Sequence, residues 1–407
     1  MRRRAFLRAI AGAAGVTALE GMSALARTGS ASFVIPMDRA QPQPLRAYGV
    51  VYRALREGGA VDWVLEHRGG AFVVHHAPAL DDALSRGVYT EGMPAARAGI
   101  EAAVDSGASV AVRLEVAPEI GVYVPPYAAP WDDAVRLALE YAEIPYRTVW
   151  DEQVLDGLLE IDWLHLHHED FTGQYGKYGT SVRASRWFRE ARALDRRTAT
   201  RLGFEGIAEL KGAVAAATER YVENGGFLFA MCAATETLDV ALSSRSGDSP
   251  SFEQTLAFGD FRIEPAPVGP FSTIDGHRVN TPERRPLESV TLGRFAPTVD
   301  PVAAMLVQNH VVRMPDWYGL TTSFRPETVK PDAVVLATCS GGSLAKYVHG
   351  DHGEGTFTFL GGHDPEDAQH AVGDPPTDLS RHPRSPGYRL ILNNVLFPAA
   401  EREERRT

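Results

Sequence analysis

The sequence has few cysteines and no excess of positive charge. Only Cys232 and Cys339 occur among 407 residues, which excludes a disulfide framework and a cysteine-only zinc site. The 41 lysine and arginine residues stand against 52 acidic residues, so the formal net charge is -11. A protein that binds nucleic acid without regard to sequence needs a large basic surface. We therefore expect no nucleic-acid partner.

Long apolar runs and nucleotide-binding loops are also missing after the first thirty residues. No later segment approaches the roughly 20 apolar residues that cross a bilayer, so we expect no membrane span in the mature protein. No Gly-x-Gly-x-x-Gly follows a strand, and there is no Walker-type loop. The Ser340–Gly342 loop lacks the Asp and Ser of an ATP pyrophosphatase loop, because Leu344 and Ala345 stand there. We expect no cofactor.

Residues 1–26 differ in composition from the rest of the chain. Arg3 and Arg4 precede Phe6 and Leu7, a small-apolar stretch follows, and Ala-Leu-Ala at residues 24–26 offers a cleavage site. This pattern predicts a twin-arginine export signal and a periplasmic or otherwise exported protein. The alternative is a short amphipathic N-terminal helix or anchor on a protein that stays in the cytoplasm.

Strand-like and helix-like segments alternate along the remaining chain. This alternation predicts an α/β fold with a doubly wound, mostly parallel sheet. We expect an N-terminal α/β segment over residues 33–118, packed on a main domain over 119–398, and a charged tail over 399–407. Residues 243–331 are rich in Pro, Gly and Ser and predict a β-rich insertion, which is either a lid or a structural hairpin extension.

The most informative local pattern surrounds Cys232. The apolar strand Phe227–Met231 runs directly into this cysteine, and the small residues Ala233 and Ala234 follow. A nucleophile elbow has this layout, because its strained turn between strand and helix needs small neighbours. A helix N-terminus also favours thiolate. Cys232 is thus predicted to be a nucleophile, with the Ala233 N–H near the oxyanion. The alternative is a buried structural cysteine.

A histidine follows a second apolar strand. Residues 357–360 are followed by two glycines, then His363, Asp364 and, after one proline, Glu366. A cysteine nucleophile needs a base, and the base needs a group that orients it. We predict His363 as the base and Glu366 as the orienting group, with Asp364 as its substitute. In a parallel sheet, Cys232 and His363 would lie at the same edge of the sheet, where ligands bind. A histidine with only a structural hydrogen bond is the alternative.

A third strand, over residues 162–167, ends in a polar cluster and a glycine-containing loop. The backbone N–H groups of the loop over 169–173 are suited to an oxyanion. We therefore predict that His168, Glu169 and Gly173 contribute to oxyanion or substrate binding.

The same cluster offers an alternative use as a metal site. Imidazole and carboxylate groups suit zinc or iron, so the alternative ligands are His167, His168, Asp170 and His363. Adjacent residues of a strand point to opposite faces, so we expect only part of this cluster to serve one ion.

From about Ile120 to Pro398 the chain resembles the class I glutamine amidotransferase-like superfamily, in its opening strand–helix–strand, its cysteine elbow and its late histidine. This resemblance implies a flavodoxin-like fold with Cys232 as nucleophile, His363 as base and Glu366 as orienting group. The family spacing His-x-Glu is one residue longer here. Further segments look like bacterial proteins labelled asparagine synthetase B: Tyr48-Gly49, Val61-Asp62-Trp63, Arg68-Gly69-Gly70, His168-Glu169-Asp170-Phe171-Thr172-Gly173 and Asn393-Asn394-Val395-Leu396-Phe397-Pro398.

These patterns together predict a stand-alone, cysteine-dependent amide hydrolase or amidotransferase-like enzyme that acts on C–N bonds. Its partner would be a small-molecule amide. One alternative is a non-catalytic ligand-binding protein of the cell envelope on the same fold. Another is a metal-dependent hydrolase that uses the histidine cluster. The sequence does not define an oligomeric state.

Overall fold

The protein is described by a computed structural model over residues 32–126, 133–158, 160–173, 185–243, 261–263, 277–280, 289–315, 321–324, 326–367 and 375–400. The expected export signal and residues 401–407 of the expected charged tail lie outside these ranges. Within these ranges, no helix combines the length and the apolar character needed to cross a membrane.

The N-terminal segment forms a five-stranded sheet of its own. Its strand order is β4-β1-β3-β2-β5, and every neighbouring pair is antiparallel. The elements are β1 (Phe33–Ile35), α1 (Pro44–Arg56), β2 (Val61–Leu65), β3 (Ala71–Val74), α2 (Ala79–Ser85), β4 (Glu91–Gly92), α3 (Met93–Asp105) and β5 (Val110–Leu114).

The next part of the chain alternates strands and helices, as the sequence predicts. Its strands join a large sheet in which β7-β6-β8-β9 are neighbours and all pairs are parallel. The elements are β6 (Ile120–Tyr123), α4 (Ala134–Ala142), β7 (Arg147–Val149), α5 (Asp151–Leu155), β8 (Trp163–Leu166), α6 (Arg186–Leu202), α7 (Ile207–Glu223), β9 (Phe227–Met231) and α8 (Ala233–Ser243).

Most of the remaining strands extend the large sheet in antiparallel fashion, and β17 is the exception. Strand β17 pairs in parallel with β9, and β16, β14, β11 and β10 follow on its other side. The elements are β10 (Phe261–Ile263), β11 (His277–Asn280), β12 (Ser289–Leu292), α9 (Pro301–Val307), β13 (Arg313–Pro315), β14 (Thr321–Phe324), β15 (Val334–Cys339), β16 (Leu344–His352), β17 (Gly355–Leu360) and α10 (Pro386–Leu396).

The predicted α/β class is confirmed, but the sheet is not mostly parallel. Among the described residues its twelve strands include four parallel pairs, which join the five strands β7, β6, β8, β9 and β17. The insertion is the main source of antiparallel pairing: β10, β11 and β14 extend the sheet beyond β16, and β12 pairs with β13 and β15. Long stretches of residues 243–331 lie outside the described ranges.

The parallel strands are buried on both faces. Side chains alternate along a strand, so Phe229 and Met231 join one core while Leu228 and Ala230 join the other. Helices α1, α4, α9 and α10 contribute to the first core, which also contains Trp63 of the N-terminal sheet. Helices α7 and α8 contribute to the second. One layer of helices thus lies between the two sheets.

Several buried polar residues hold this helix layer together. The Tyr48 hydroxyl of α1 donates to Asn393 Oδ1 of α10. Asn393 Nδ2 in turn donates to the carbonyl of Gln308 at 2.8 Å, just after α9. Arg389 is fully buried and donates to the carbonyls of Met37 and Gly69. These polar side chains therefore bind backbone and side chains of neighbouring elements within the packed interior.

Two helical glycines provide a matched test of this packing. A Cβ atom on Gly49 of α1 would lie 1.8 Å from the carbonyl oxygen of Ala142, whereas one on Gly212 of α7 would meet nothing within 4 Å. We expect Gly49→Ala to lower the free energy of unfolding by about 1–3 kcal/mol or more, because overpacking outweighs helix propensity. Gly212→Ala should raise it by roughly 0.5–1 kcal/mol. Urea unfolding of both variants measures this, and a Gly49→Ala variant as stable as the wild type would contradict the close approach of α1 and α4.

Candidate functional site

Cys232 occupies a strained turn between β9 and α8. Its φ angle is +49°, in the left-handed region that costs a non-glycine residue about 1–2 kcal/mol. Its N–H donates to the carbonyl of Gly362 at 3.1 Å, and its carbonyl accepts from Thr235 Oγ1 at 2.8 Å. The residue is 1 % exposed. Such strain persists only where the surroundings determine it, and it concentrates at functional sites.

His363 follows the strand that neighbours β9. Leu360 at the end of β17 pairs in parallel with Met231 at the end of β9, so both chain segments leave the sheet at the same edge. The structure thereby brings Cys232 and His363 together, and their potential ligand atoms lie within 4.8 Å of each other. Both side chains are buried.

The carboxylate beside His363 is that of Asp364, and this corrects the prediction for Glu366. Asp364 Oδ2 lies 3.5 Å from His363 Nδ1. Glu366 instead lies 3.4 Å from Nδ1 of His382 and is exposed, because the chain turns outward there with Glu366 at a φ of +68°. The extra residue in the spacing therefore places Glu366 beside His382, and the carboxylate next to the His363 imidazole is Asp364, the predicted substitute.

Both histidines after β8 reach the same cluster, contrary to the expectation that neighbours point to opposite faces. His167 and His168 lie beyond the last strand residue, Leu166, so strand alternation no longer applies to them. Their rings stack with centroids 3.8 Å apart. The centroid of the His363 ring lies 5.1 Å from that of His167 and 4.7 Å from that of His168.

A buried carboxylate that sequence reasoning missed lies next to the histidines. Asp133 caps α4 by accepting from the Val135 N–H at 2.8 Å, and the same Oδ1 atom lies 3.4 Å from His165 Nε2 and 3.6 Å from His167 Nδ1. Burial opposes ionisation of Asp133, but His165 and His167 outweigh it and hold its pKa well below the usual range. A carboxylate residue directly before an apolar helical pattern is the signal that marks such a cap.

The loop after the histidines uses its own N–H groups internally. The Phe171 N–H donates to Thr237 Oγ1 at 3.3 Å, and the Thr172 N–H donates to Asp170 Oδ1 at 3.0 Å. The Gly173 N–H donates to the Asp170 carbonyl at 3.0 Å. These three N–H groups therefore donate to acceptors within the protein. They are not the donors that the predicted oxyanion role of this loop requires.

Gly173 packs closely against α7, and Asp170 accepts hydrogen bonds within its own loop. Gly173 has a φ of +68°, and a Cβ atom there would lie 2.7 Å from the Cα atom of Ala208 at the start of α7. Asp170 accepts from Oγ1 and N–H of Thr172. The group of potential metal ligands that contains His363 also contains His167, His168 and Cys232, and it does not include the predicted Asp170.

Two further groups define the charge at the site. Burial lowers the pKa of His167 and so favours its neutral imidazole. Burial likewise raises the pKa of Glu169 to about 8, so this carboxyl is largely protonated at neutral pH. Glu169 is held in place through its carbonyl, which accepts from Thr237 Oγ1 at 2.9 Å.

The fold and the site thus define an α/β protein with a buried cysteine among three histidines at the carboxyl edge of parallel strands. No family model matches the chain, and no curated protein matches it.

Several solved structures resemble it distantly. A Thermoplasma acidophilum protein provisionally named as part of a GMP synthase has 9 % identity and a TM-score of 0.35, with 69 % of this chain and 94 % of that chain covered. A cytoplasmic protein of Salmonella typhimurium has 12 % identity, a TM-score of 0.34, and 71 % and 88 % coverage. An exo-β-1,4-mannosidase from Opitutaceae bacterium strain TAV5 has 14 % identity, a TM-score of 0.29, and 68 % and 36 % coverage. Likenesses at this level assign no function to the chain.

Proposed function

We propose that this protein is a cysteine-dependent amide hydrolase or amidotransferase-like enzyme, built on a doubly wound, flavodoxin-like unit of the class I glutamine amidotransferase-like superfamily. The order of the parallel strands, β7-β6-β8-β9-β17, supports this unit, because flavodoxin-like sheets have the order 2-1-3-4-5. Ligands of such sheets bind at the carboxyl ends of the strands, which is where Cys232 and His363 lie.

The observation that carries the proposal is the strained conformation of Cys232 directly beside His363. A buried structural cysteine has no need of a positive φ angle, whereas a nucleophile elbow uses one to present its side chain at the turn. The imidazole of His363 lies beside Cys232 and is a base that can take the thiol proton.

The roles of the site residues follow from their positions. Cys232 Sγ attacks the amide carbonyl carbon, and His363 takes the thiol proton and passes it to the departing ammonia or amine. Water then hydrolyses the thioester. Asp364 holds the imidazole through Nδ1. Ala233 is the first residue of α8, so its N–H has no acceptor within the helix and is suited to the oxyanion.

Alkylation rates test this assignment without knowledge of the substrate. Cys232 and Cys339 are each 1 % exposed, so the second cysteine is an internal control for access. We expect iodoacetamide at pH 7 to modify Cys232 about 10-fold faster than Cys339 or more, because His363 stands beside Cys232 as a base. His363→Ala should remove most of this difference, whereas His382→Ala should leave it intact. Mass spectrometry of both cysteine peptides gives the rates.

The two carboxylates give a matched pair for the orienting role. Asp364→Asn should slow alkylation of Cys232, whereas Glu366→Gln should leave it unchanged, because Asp364 lies beside the imidazole of His363 and Glu366 beside that of His382. A Cys232 that reacts no faster than Cys339 in the wild type would instead support a ligand-binding protein on this fold.

A further inference from the structure

We propose that Cys232, His167, His168 and His363 form a site for one zinc ion, whose binding blocks the thiol. Ligand atoms from these four side chains lie within 4.8 Å of one another. In a tetrahedral zinc site with Zn–N bonds near 2.0–2.1 Å and a Zn–S bond near 2.3 Å, the ligand atoms are roughly 3.3–3.6 Å apart.

The buried Nε2 atom of His167 points independently to a ligand. This side chain is 1 % exposed, and its Nδ1 atom lies 3.6 Å from Asp133 Oδ1. Its Nε2 atom has no hydrogen-bond partner within the ranges that the structure describes. A buried polar group without a partner carries a desolvation penalty of about 1–3 kcal/mol, so such groups in native proteins call for an explanation. A metal ion on Nε2 would satisfy this ring.

The surroundings also suit a metal ion. Asp133 Oδ1 lies 3.6 Å from Nδ1 of His167, as in the carboxylate–histidine–metal arrangements that fix the orientation of ligating imidazoles. The ligands come from the chain ends of β8, β9 and β17, which adjoin one another in the sheet. Three imidazoles and one thiolate favour zinc over magnesium or calcium, which prefer oxygen ligands.

Zinc at this site would make Cys232 unavailable as a nucleophile, because the metal takes the thiolate electron pair and an imidazole nitrogen of His363. This consequence rests on the proposed function, whereas metal binding itself does not. Zinc would then be an inhibitor that a chelator removes, and a zinc-free enzyme would be the active form.

Cobalt binding to the full-length protein tests the site directly. We expect one Co²⁺ per chain, with the intense visible bands of tetrahedral cobalt and a thiolate-to-cobalt charge-transfer band, and displacement of the cobalt by one equivalent of Zn²⁺. Cys232→Ser should remove the charge-transfer band, and His168→Gln, at the partly exposed ligand, should weaken binding about 100-fold or more. Cys339→Ser should change neither. Circular dichroism establishes that each variant is folded.

Zinc protection of the thiol links binding to the second part of the proposal. One equivalent of Zn²⁺ should slow alkylation of Cys232 at least 10-fold, leave Cys339 unaffected, and be reversed by a chelator. Absence of stoichiometric binding, or unchanged affinity in both Cys232→Ser and His168→Gln, would overturn the zinc site. That result would not affect the alkylation rates of the metal-free protein, so it would not contradict the hydrolase proposal. Binding without protection would overturn only the inhibition.

Discussion

Cys232→Ala is expected to lower the rate of amide hydrolysis by roughly 10⁴–10⁶-fold, because removal of a covalent nucleophile eliminates most of the catalysis. Ammonia release from a panel of primary amides, measured with zinc-free protein, identifies a substrate and then gives the rate. Cys339→Ala is the matched control, since this cysteine is equally buried at the end of β15, and it should keep the wild-type rate. Hydrolysis that survives in Cys232→Ala would contradict the assigned nucleophile.

Two inactive variants of Cys232 separate the loss of activity from the effect of backbone strain on stability. Cys232→Gly should be as inactive as Cys232→Ala yet about 0.5–1 kcal/mol more stable than it. The left-handed conformation costs alanine about 1–2 kcal/mol, which exceeds the roughly 0.5–1 kcal/mol entropic disadvantage of glycine. Urea unfolding of the two inactive variants measures the difference. An alanine variant as stable as the glycine variant would show that the turn is not strained.

Lys211→Met is expected to lower the free energy of unfolding by about 3–5 kcal/mol, because it leaves a buried carboxylate without its cation. Lys211 is 3 % exposed, and its Nζ atom donates to both carboxylate oxygens of Asp151, at 2.9 and 3.0 Å. It also donates to the Tyr123 hydroxyl at 3.1 Å and lies 4.0 Å from the ring centre of Trp150. Asp151 is fully buried.

A second substitution distinguishes an unpaired charge from lost packing. Lys211→Met combined with Asp151→Asn should recover part of the lost stability, since neither residue of the pair is then charged. The exposed ion pair between Arg186 and Glu190 on α6 is the control, and Arg186→Ala should change stability by no more than about 0.5 kcal/mol. Thermal and urea unfolding give both values. Equal losses in the single and double variants would contradict the charge argument.

The regular elements of the parallel half could be predicted from the sequence, because periodicity and end signals are local. The strand Phe227–Met231 has the predicted bounds. Helix α6 was missed because its apolar residues are few, although Ser185 caps its start and Gly203 its end. Strand β16 was missed because a Gly-, Asp- and His-containing segment resembles a loop. Its pairing with β15 and β17 buries His349 in the sheet.

The sequence by itself determined that Cys232 and His363 each follow an apolar strand, and that small residues follow the cysteine. These are properties of neighbouring residues. Only the tertiary structure decided that β17 lies beside β9, that Asp364 rather than Glu366 meets the imidazole, and that the ring of His167 joins the cluster. The physical reason is that strand order and side-chain convergence depend on pairing between segments far apart in the chain, whereas periodicity and capping report only on the residues next to them.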